Sequence, residues 1–142
     1  MYGYSRATLP GIPSDQKGVQ GKGMFPLKYY LYVEVKPRTR VSAEWAWIRG
    51  DYYNCSLKKV STPVLVESDP AIPTDKKETL VPKTSNDVYS VILGDVKART
   101  PSNGEERELI ANHEAALGLV IDKSSAYAAI QSIKTLRPAA AM

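Results

Sequence analysis

The chain has 142 residues, which fits one domain, and its content of 43% hydrophobic and 24% charged residues is ordinary for a globular protein. No run of about 18 apolar residues is present, so a transmembrane helix is not predicted. Cys55 is the only cysteine, which excludes an intramolecular disulfide and a multi-cysteine zinc site.

The net charge of +4 is unevenly distributed along the chain. Residues 1–40 carry seven basic and two acidic groups, giving +5, and residues 41–142 carry 12 and 13, giving −1. A nucleic-acid-binding domain more typically has a basic face on its folded body. Nucleic-acid binding through the basic N-terminal segment is therefore a second alternative function and not the leading one.

Residues 1–26 hold five of the nine glycines and three of the ten prolines and show no helical or strand periodicity. This composition predicts an extended N-terminal arm or linker that is disordered, lies across the domain, or mediates self-association with a neighbouring chain. The first residues lack the pattern of a secretory signal, and their polar, Gly- and Pro-containing character favours a chain that begins after a cleaved signal over one that is not exported by that route.

A β-domain is predicted for residues 27–142. Leu27–Lys36 alternates between apolar and amphipathic residues, as in a half-buried strand, and Pro37 ends it. Further strands are predicted at Ser42–Ile48, Tyr52–Val60, Pro63–Glu67, Glu78–Val81, Val88–Val96, Ala116–Ile121 and Ala126–Leu136. Trp45 and Trp47 are two residues apart, so their side chains should lie on the same side of a strand.

One short helix is predicted after the strand that ends near Val96. Ser102 and Glu105 have the spacing of a capping box, and acidic residues follow where the positive end of the helix dipole lies. The helix should end near Asn112.

These elements predict an antiparallel β-sandwich of about seven to nine strands, either Ig-like or two-fold duplicated. Duplication is suggested by a weak repeat at an offset of 73 residues, in which Ala43 matches Ala116 and Ile48 matches Ile121. In both copies a turn follows the isoleucine.

Three short motifs carry a resemblance: Trp47-Ile48-Arg49-Gly50, Thr62-Pro63-Val64 and Leu80-Val81-Pro82-Lys83-Thr84. Their order resembles that in small exported proteins of Bacteroidetes-type bacteria. The resemblance covers less than a third of the chain and implies a periplasmic or secreted location, with the cytoplasm as the alternative. No activity is assigned to that group, so the resemblance implies no functional residue.

No catalytic motif is recognisable, and no cofactor or metal site is predicted. His113 lies at the end of the predicted helix, where a cation is favoured, and Cys55 lies on an apolar strand face, where a small buried side chain is expected. Neither residue has a chemical partner in reach by sequence.

The candidate binding residues lie on the first predicted strand. Tyr30 and Tyr32 share the face away from the predicted core, with Lys28 and Lys36 beside them. Amphipathic rings suit the recognition of protein or sugar surfaces. The sequence therefore favours a non-enzymatic binding or structural domain whose partner is a protein or glycan, with a hydrolase-like enzyme built from dispersed carboxylates as the alternative.

Overall fold

The computed structural model describes residues 1–9, 27–67, 77–136 and 139–140. The strands are β1 (Tyr2–Leu9), β2 (Leu27–Val35), β3 (Val41–Ile48), β4 (Asp51–Val60), β5 (Val64–Glu67), β6 (Lys77–Val81), β7 (Asp87–Lys97), β8 (Ala115–Ile121), β9 (Ser124–Ile130), β10 (Lys134–Thr135) and β11 (Ala139–Ala140). Helix α1 (Gly104–Ala111) lies between β7 and β8. The predicted mainly β fold with one short helix is confirmed for the described residues. In this part of the chain no helix is long and apolar enough to cross a membrane.

One large, curled sheet dominates the fold. Its strands follow in the order β10-β1-β2-β7-β4-β3-β8-β9, and β11 also pairs with β1. The pairs are antiparallel except those of β1 with β10 and β11. The chain runs from β9 through the buried Ile133 into β10, which pairs with β1. The two ends of the sheet are thereby brought together, and β5 and β6 form a separate two-stranded sheet.

The main core lies on the inner face of the curl. Since successive strand residues point to opposite faces, each strand contributes every second side chain. The fully buried members are Leu31, Val33, Ala46, Ile48, Val91, Ala115, Leu117, Leu119 and Ile133. Burial of the valine, leucine and isoleucine side chains in this set stabilises the fold by about 1.5–3 kcal/mol each.

Two parts of the outer face are also covered. The small sheet places Leu80 and Val81 over Tyr32, and Leu136 joins this second cluster. Helix α1 covers a third cluster, in which Trp45 and Tyr52 are buried and Trp47 is half-buried. The two tryptophans lie in the same cluster, which confirms that their side chains share one side of β3.

The segment predicted as an extended arm differs from expectation at its start. Tyr2–Leu9 forms β1, which pairs with β2 along six residues and is therefore a strand of the main sheet. Its inward positions include Gly3 and Ser5, because β9 approaches closely: a Cβ atom on Gly3 would lie 2.2 Å from Cδ1 of Ile130. Because these inward residues are small and not apolar, the segment lacks the alternation of apolar and polar residues from which a strand is predicted. Residues 10–26, the rest of the predicted arm, lie outside the described residues.

The structure also defines the hairpin turns, the last predicted strand and the start of the helix in more detail than the sequence does. Arg49-Gly50 and Asp122-Lys123 close two adjacent hairpins, and all four residues have positive φ angles, as tight two-residue hairpin turns require. The last predicted strand, Ala126–Leu136, is divided into β9 and β10. The helix is capped by Asn103 instead of Ser102, because the Asn103 side chain accepts a 2.8 Å hydrogen bond from the N–H of Glu106.

Candidate binding site

The sheet opens between two neighbouring strands. β2 and β7 pair only where Tyr32–Val35 meets Asp87–Ser90. Outside this zone, β2 still pairs with β1 along its opposite edge, and β7 still pairs with β4 along its opposite edge. The facing edges of residues 27–31 and 91–97 are thus unpaired among the described residues. We call this opening the β2/β7 cleft.

The β2/β7 cleft holds a cavity of about 600 Å³. It is lined by Leu27, Lys28, Tyr29, Tyr30, Tyr53, Ser90, Val91, Ile92 and Leu93. The lining is largely aromatic and aliphatic, and no carboxylate belongs to it. Cavities of this size and character are typical of binding sites.

Apolar side chains remain exposed around the cleft. Leu27 is 47% exposed, Ile92 48% and Val96 60%, which makes them three of the four large hydrophobic side chains exposed in the described chain. Leu27 and Ile92 line the cavity, and Val96 lies further along the unpaired edge of β7. A concentrated apolar patch of this kind marks an interaction site more strongly than isolated exposed residues do.

Two tyrosines lie at the inner side of the cleft. Tyr29 and Tyr53 pack on the main core and line the cavity, and their hydroxyl groups have no hydrogen-bond partner among the described residues. Burial raises the pKa of Tyr53, with smaller contributions from Asp51 and the Tyr29 phenol. Each hydroxyl can donate a hydrogen bond to an incoming carbonyl oxygen.

The sequence-predicted binding residues divide into three groups. Lys28 and Tyr30 line the β2/β7 cleft, with the ammonium group 5.2 Å from the centre of the ring. Tyr32 is on the same face but is only 6% exposed, because the small sheet covers it. Lys36 is exposed beyond the far end of β2. The expectation that this face points away from any core is wrong at Tyr32, because the face carries a second core.

Sequence reasoning missed Tyr29, Tyr53, Ile92 and Leu93. A signal was available in Val91-Ile92-Leu93, where three consecutive apolar residues make both faces of a strand apolar. The unpaired edges left no such trace in the sequence, because strand pairing is decided by residues distant in the chain.

A buried ion pair fixes α1 to the sheet. Glu106, 1% exposed, receives hydrogen bonds from both terminal nitrogens of Arg99, from the Tyr52 hydroxyl at 2.6 Å and from the Ser102 N–H at 3.2 Å. The Arg99 guanidinium also lies 4.9 Å from the Trp45 ring. Burial opposes ionisation of Glu106, but the hydrogen bonds from Arg99, Tyr52 and Ser102 outweigh it and lower its pKa. Because each carboxylate oxygen has two donors, this network is a structural anchor.

The other prominent carboxylates have their own partners. Glu34 accepts from Tyr2 at 2.6 Å, from Thr84 and from Asn86, and the Tyr2 bond contributes most to its lowered pKa. Glu114 accepts from the Ile133 N–H at 2.6 Å, which is the main cause of its own lowered pKa. The networks of Glu34, Glu106 and Glu114 share no residue, so these three acids do not form a catalytic pair.

His113 and Cys55 occupy structural positions. The Nδ1–H of His113 donates to the carbonyl of Leu109 at 2.7 Å and satisfies an acceptor at the end of α1. Cys55 is half-buried against the main core, and burial raises the pKa of its thiol, which disfavours the nucleophilic thiolate. The described residues contain no group of three or more side chains suited to hold a metal ion.

Comparison with known proteins gives no match to this chain, whether by family models, curated proteins or solved structures.

Proposed function

We propose that this chain is a non-enzymatic binding domain that takes up an extended segment of another protein in the β2/β7 cleft. The observation that carries the proposal is the separation of β2 from β7 beyond the Tyr32–Ser90 pair, which leaves two facing strand edges unpaired across an apolar cavity. Unpaired edges offer rows of N–H and C=O groups to another strand. Strand addition is a recurring way of recognising peptides.

The size of the cavity supports a short strand as the occupant. One strand residue takes up roughly 3.3 Å along the chain, about 4.8 Å across the sheet and about 10 Å through it. A cavity of about 600 Å³ therefore accommodates roughly four residues. Because β2 and β7 are antiparallel, an inserted strand is parallel to one of them and antiparallel to the other. The fold already contains a parallel pair in β1 and β10.

A protein partner fits this site better than a glycan. Sugar recognition relies on converging polar groups, whereas the lining of the cleft contains Leu27, Val91, Ile92 and Leu93. Tyr32, which the sequence analysis placed among the candidate binding residues, is buried. The remaining accessible hydrogen-bonding capacity lies mainly along the backbone edges, which match another backbone.

A reversible disulfide across the cleft tests the proposal. Continuing the register of Tyr32 with Ser90 would place Tyr30 opposite Ile92. In a Cys55→Ser background, Tyr30→Cys with Ile92→Cys would hold the two edges together when oxidised. Peptides selected from a random displayed library on the unmodified chain should bind the reduced variant and lose binding on oxidation.

Hydrogen exchange supplies the matching readout. Bound peptide should slow amide exchange in residues 27–31 and 91–97, and either cysteine variant alone should respond to oxidation like the unmodified chain. Leu93→Trp, which fills the inner part of the cavity, gives a second way to block the site if the disulfide forms poorly. Failure to select any peptide, or binding that survives both blocked variants, would contradict the proposal.

We further propose that the domain acts outside the cytoplasm. The support is the resemblance that the order of the Trp47-Ile48-Arg49-Gly50, Thr62-Pro63-Val64 and Leu80–Thr84 motifs bears to small exported bacterial proteins. Fractionation of the native host tests this location. Recovery with the periplasmic or secreted proteins is expected, and recovery with a cytoplasmic marker enzyme would overturn it.

A further inference from the structure

We infer, on the basis of the proposed strand uptake, that the recognised segment alternates apolar with acidic residues. A strand inserted in the β2/β7 cleft presents alternate side chains to the two faces of the sheet. The inner and outer faces of the sheet differ in chemistry beside the cleft. Each face therefore favours a different type of side chain at the inserted positions that point towards it.

The inner face requires apolar side chains. Tyr29, Tyr53 and Leu93 line the cavity and pack against the main core. An inserted side chain on this side would extend that core and cover apolar surface that is now open. None of these three residues is charged. A charged side chain inserted on this side would therefore lose its hydration without gaining an ionic partner from them.

The only charged residue among those that line the cleft is the basic Lys28. Lys28 projects from β2 next to Tyr30, and Lys58 projects from β4 opposite Ser90. The outward residues Asn54, Ser56, Ser90 and Ile92 are uncharged, and Lys97, opposite Tyr52 at the end of β7, adds a further basic group. Lys28 and Lys58 form no salt bridge among the described residues.

Of the described acidic residues, Glu34, Glu78 and Asp95 come near this surface, and none of them lines the cavity. Glu34, further along the same face of β2, is held by Tyr2, Thr84 and Asn86 on the closed side of the pairing zone. Asp95 lies in the irregular stretch of β7 after Leu93, where the pairing with β4 shifts by one residue. An inserted strand therefore meets Lys28 as its neighbour on β2, and a cross-strand carboxylate would form the favourable opposite-charge pair.

Matched peptides test the inference. The probes are a fluorescent Val-Glu-Val-Glu-Val-Glu peptide, a Val-Lys peptide with the same alternation, and a Val-Val-Val-Glu-Glu-Glu peptide that keeps the composition and loses the alternation. Fluorescence anisotropy should show the alternating glutamate peptide binding at least about tenfold more tightly than either control. Raising the salt concentration should reduce the difference between the two alternating peptides.

Charge reversal on the protein locates the effect. Lys28→Glu should weaken binding of the alternating glutamate peptide by about fivefold and strengthen binding of the lysine peptide. Lys123→Glu makes the same change in net charge at the turn between β8 and β9 and should alter neither affinity.

The outcomes separate this inference from the proposed function. Equal binding of the glutamate and lysine peptides, both lost when the cleft is closed by the disulfide, would overturn the acidic preference and leave strand uptake intact. Equal effects of Lys28→Glu and Lys123→Glu would also overturn it. Absence of binding by all three peptides, or binding that persists with the cleft closed, would overturn both.

Discussion

The helix-covered face of the sheet and the β2/β7 cleft bring together similar residue types. In the first, the Arg99 guanidinium lies 4.9 Å from the Trp45 ring and 5.0 Å from the Tyr52 ring, and Glu106 accepts hydrogen bonds from the arginine and the tyrosine. In the second, Lys28 lies 5.2 Å from the Tyr30 ring, with no carboxylate in the lining.

The difference between them is the degree to which polar groups are satisfied. Every oxygen lone pair of Glu106 is engaged, and α1 covers the site, so this region stabilises the fold. The cleft leaves backbone edges, two tyrosine hydroxyls and exposed aliphatic side chains without partners among the described residues. Aromatic and basic residues occur in both regions, so they do not by themselves identify a binding site. Polar groups without hydrogen-bond partners and exposed apolar side chains do identify one.

The largest expected effect tests the closed region. Glu106→Gln removes the charge that compensates Arg99 and should lower the free energy of unfolding by about 3–5 kcal/mol, because the Arg99 cation, only 21% exposed, is left without its counterion. Urea denaturation measures the loss. Glu105→Gln, at the exposed neighbouring position, should change stability by less than about 0.5 kcal/mol. Equal losses for the two variants would remove the distinction between the ion pair and general helix charge.

A second prediction concerns the packing of Trp45 in the same region. A Cβ atom on Gly118 would lie 2.3 Å from Nε1 of Trp45, whereas one on Gly104 would meet nothing within 4 Å. Gly118→Ala should therefore cost about 1–3 kcal/mol through overpacking. Gly104→Ala, at the first helical residue, should be neutral or slightly stabilising. Thermal unfolding of both variants checks this, and an unchanged melting temperature for Gly118→Ala would contradict the packing.

A third prediction uses pH to weaken the closed region. Burial and the bond to Glu106 raise the pKa of Tyr52 from 10.0 to about 12. A tyrosine that ionises later in the folded state than in the unfolded one stabilises fully below pH 10.0, and this stabilisation is lost as the pH rises towards about 12. Free energies of unfolding measured across this interval should fall more steeply for the unmodified chain than for Tyr52→Phe. Parallel slopes would mean that Tyr52 does not contribute.

The smallest expected effect tests the open region. Ile92 is 48% exposed at the cleft, so Ile92→Ser should change the free energy of unfolding by less than about 1 kcal/mol. Leu31, 1% exposed in the main core, serves as the contrast, and Leu31→Ala should cost about 2–5 kcal/mol. Chemical denaturation measures both. A loss for Ile92→Ser as large as that for Leu31→Ala would show that Ile92 supports the fold and is not held free for a partner.

Local patterns predicted the strands well where one face is uniformly apolar. The alternation over Leu27–Lys36 predicted β2 nearly to its ends, and the aromatic hairpin around Arg49-Gly50 was placed within one residue at each strand boundary. β1 was missed because its inward positions include Gly3, where Ile130 already fills the space, and the polar Ser5. Periodicity reports hydrophobicity and does not report the space available to a side chain.

The candidate site was predicted only in part. Sequence periodicity placed Lys28 and Tyr30 on one face correctly, and both line the cleft. It also assigned Tyr32 to an accessible surface, although β6 covers that residue. Alternation assigns residues to two faces, but it contains no information on whether a second sheet covers one of them.

The sequence by itself determined the mainly β character, the turn positions and the short capped helix. These features depend on backbone preferences and on contacts within a few residues. Only the tertiary structure decided that β1 joins the sheet, that Glu106 is paired with Arg99, and that β2 separates from β7. Each of these features depends on segments that are distant in the chain. An unpaired strand edge arises because no neighbouring strand lies beside it, and a local pattern of residues carries no information on which strands are neighbours.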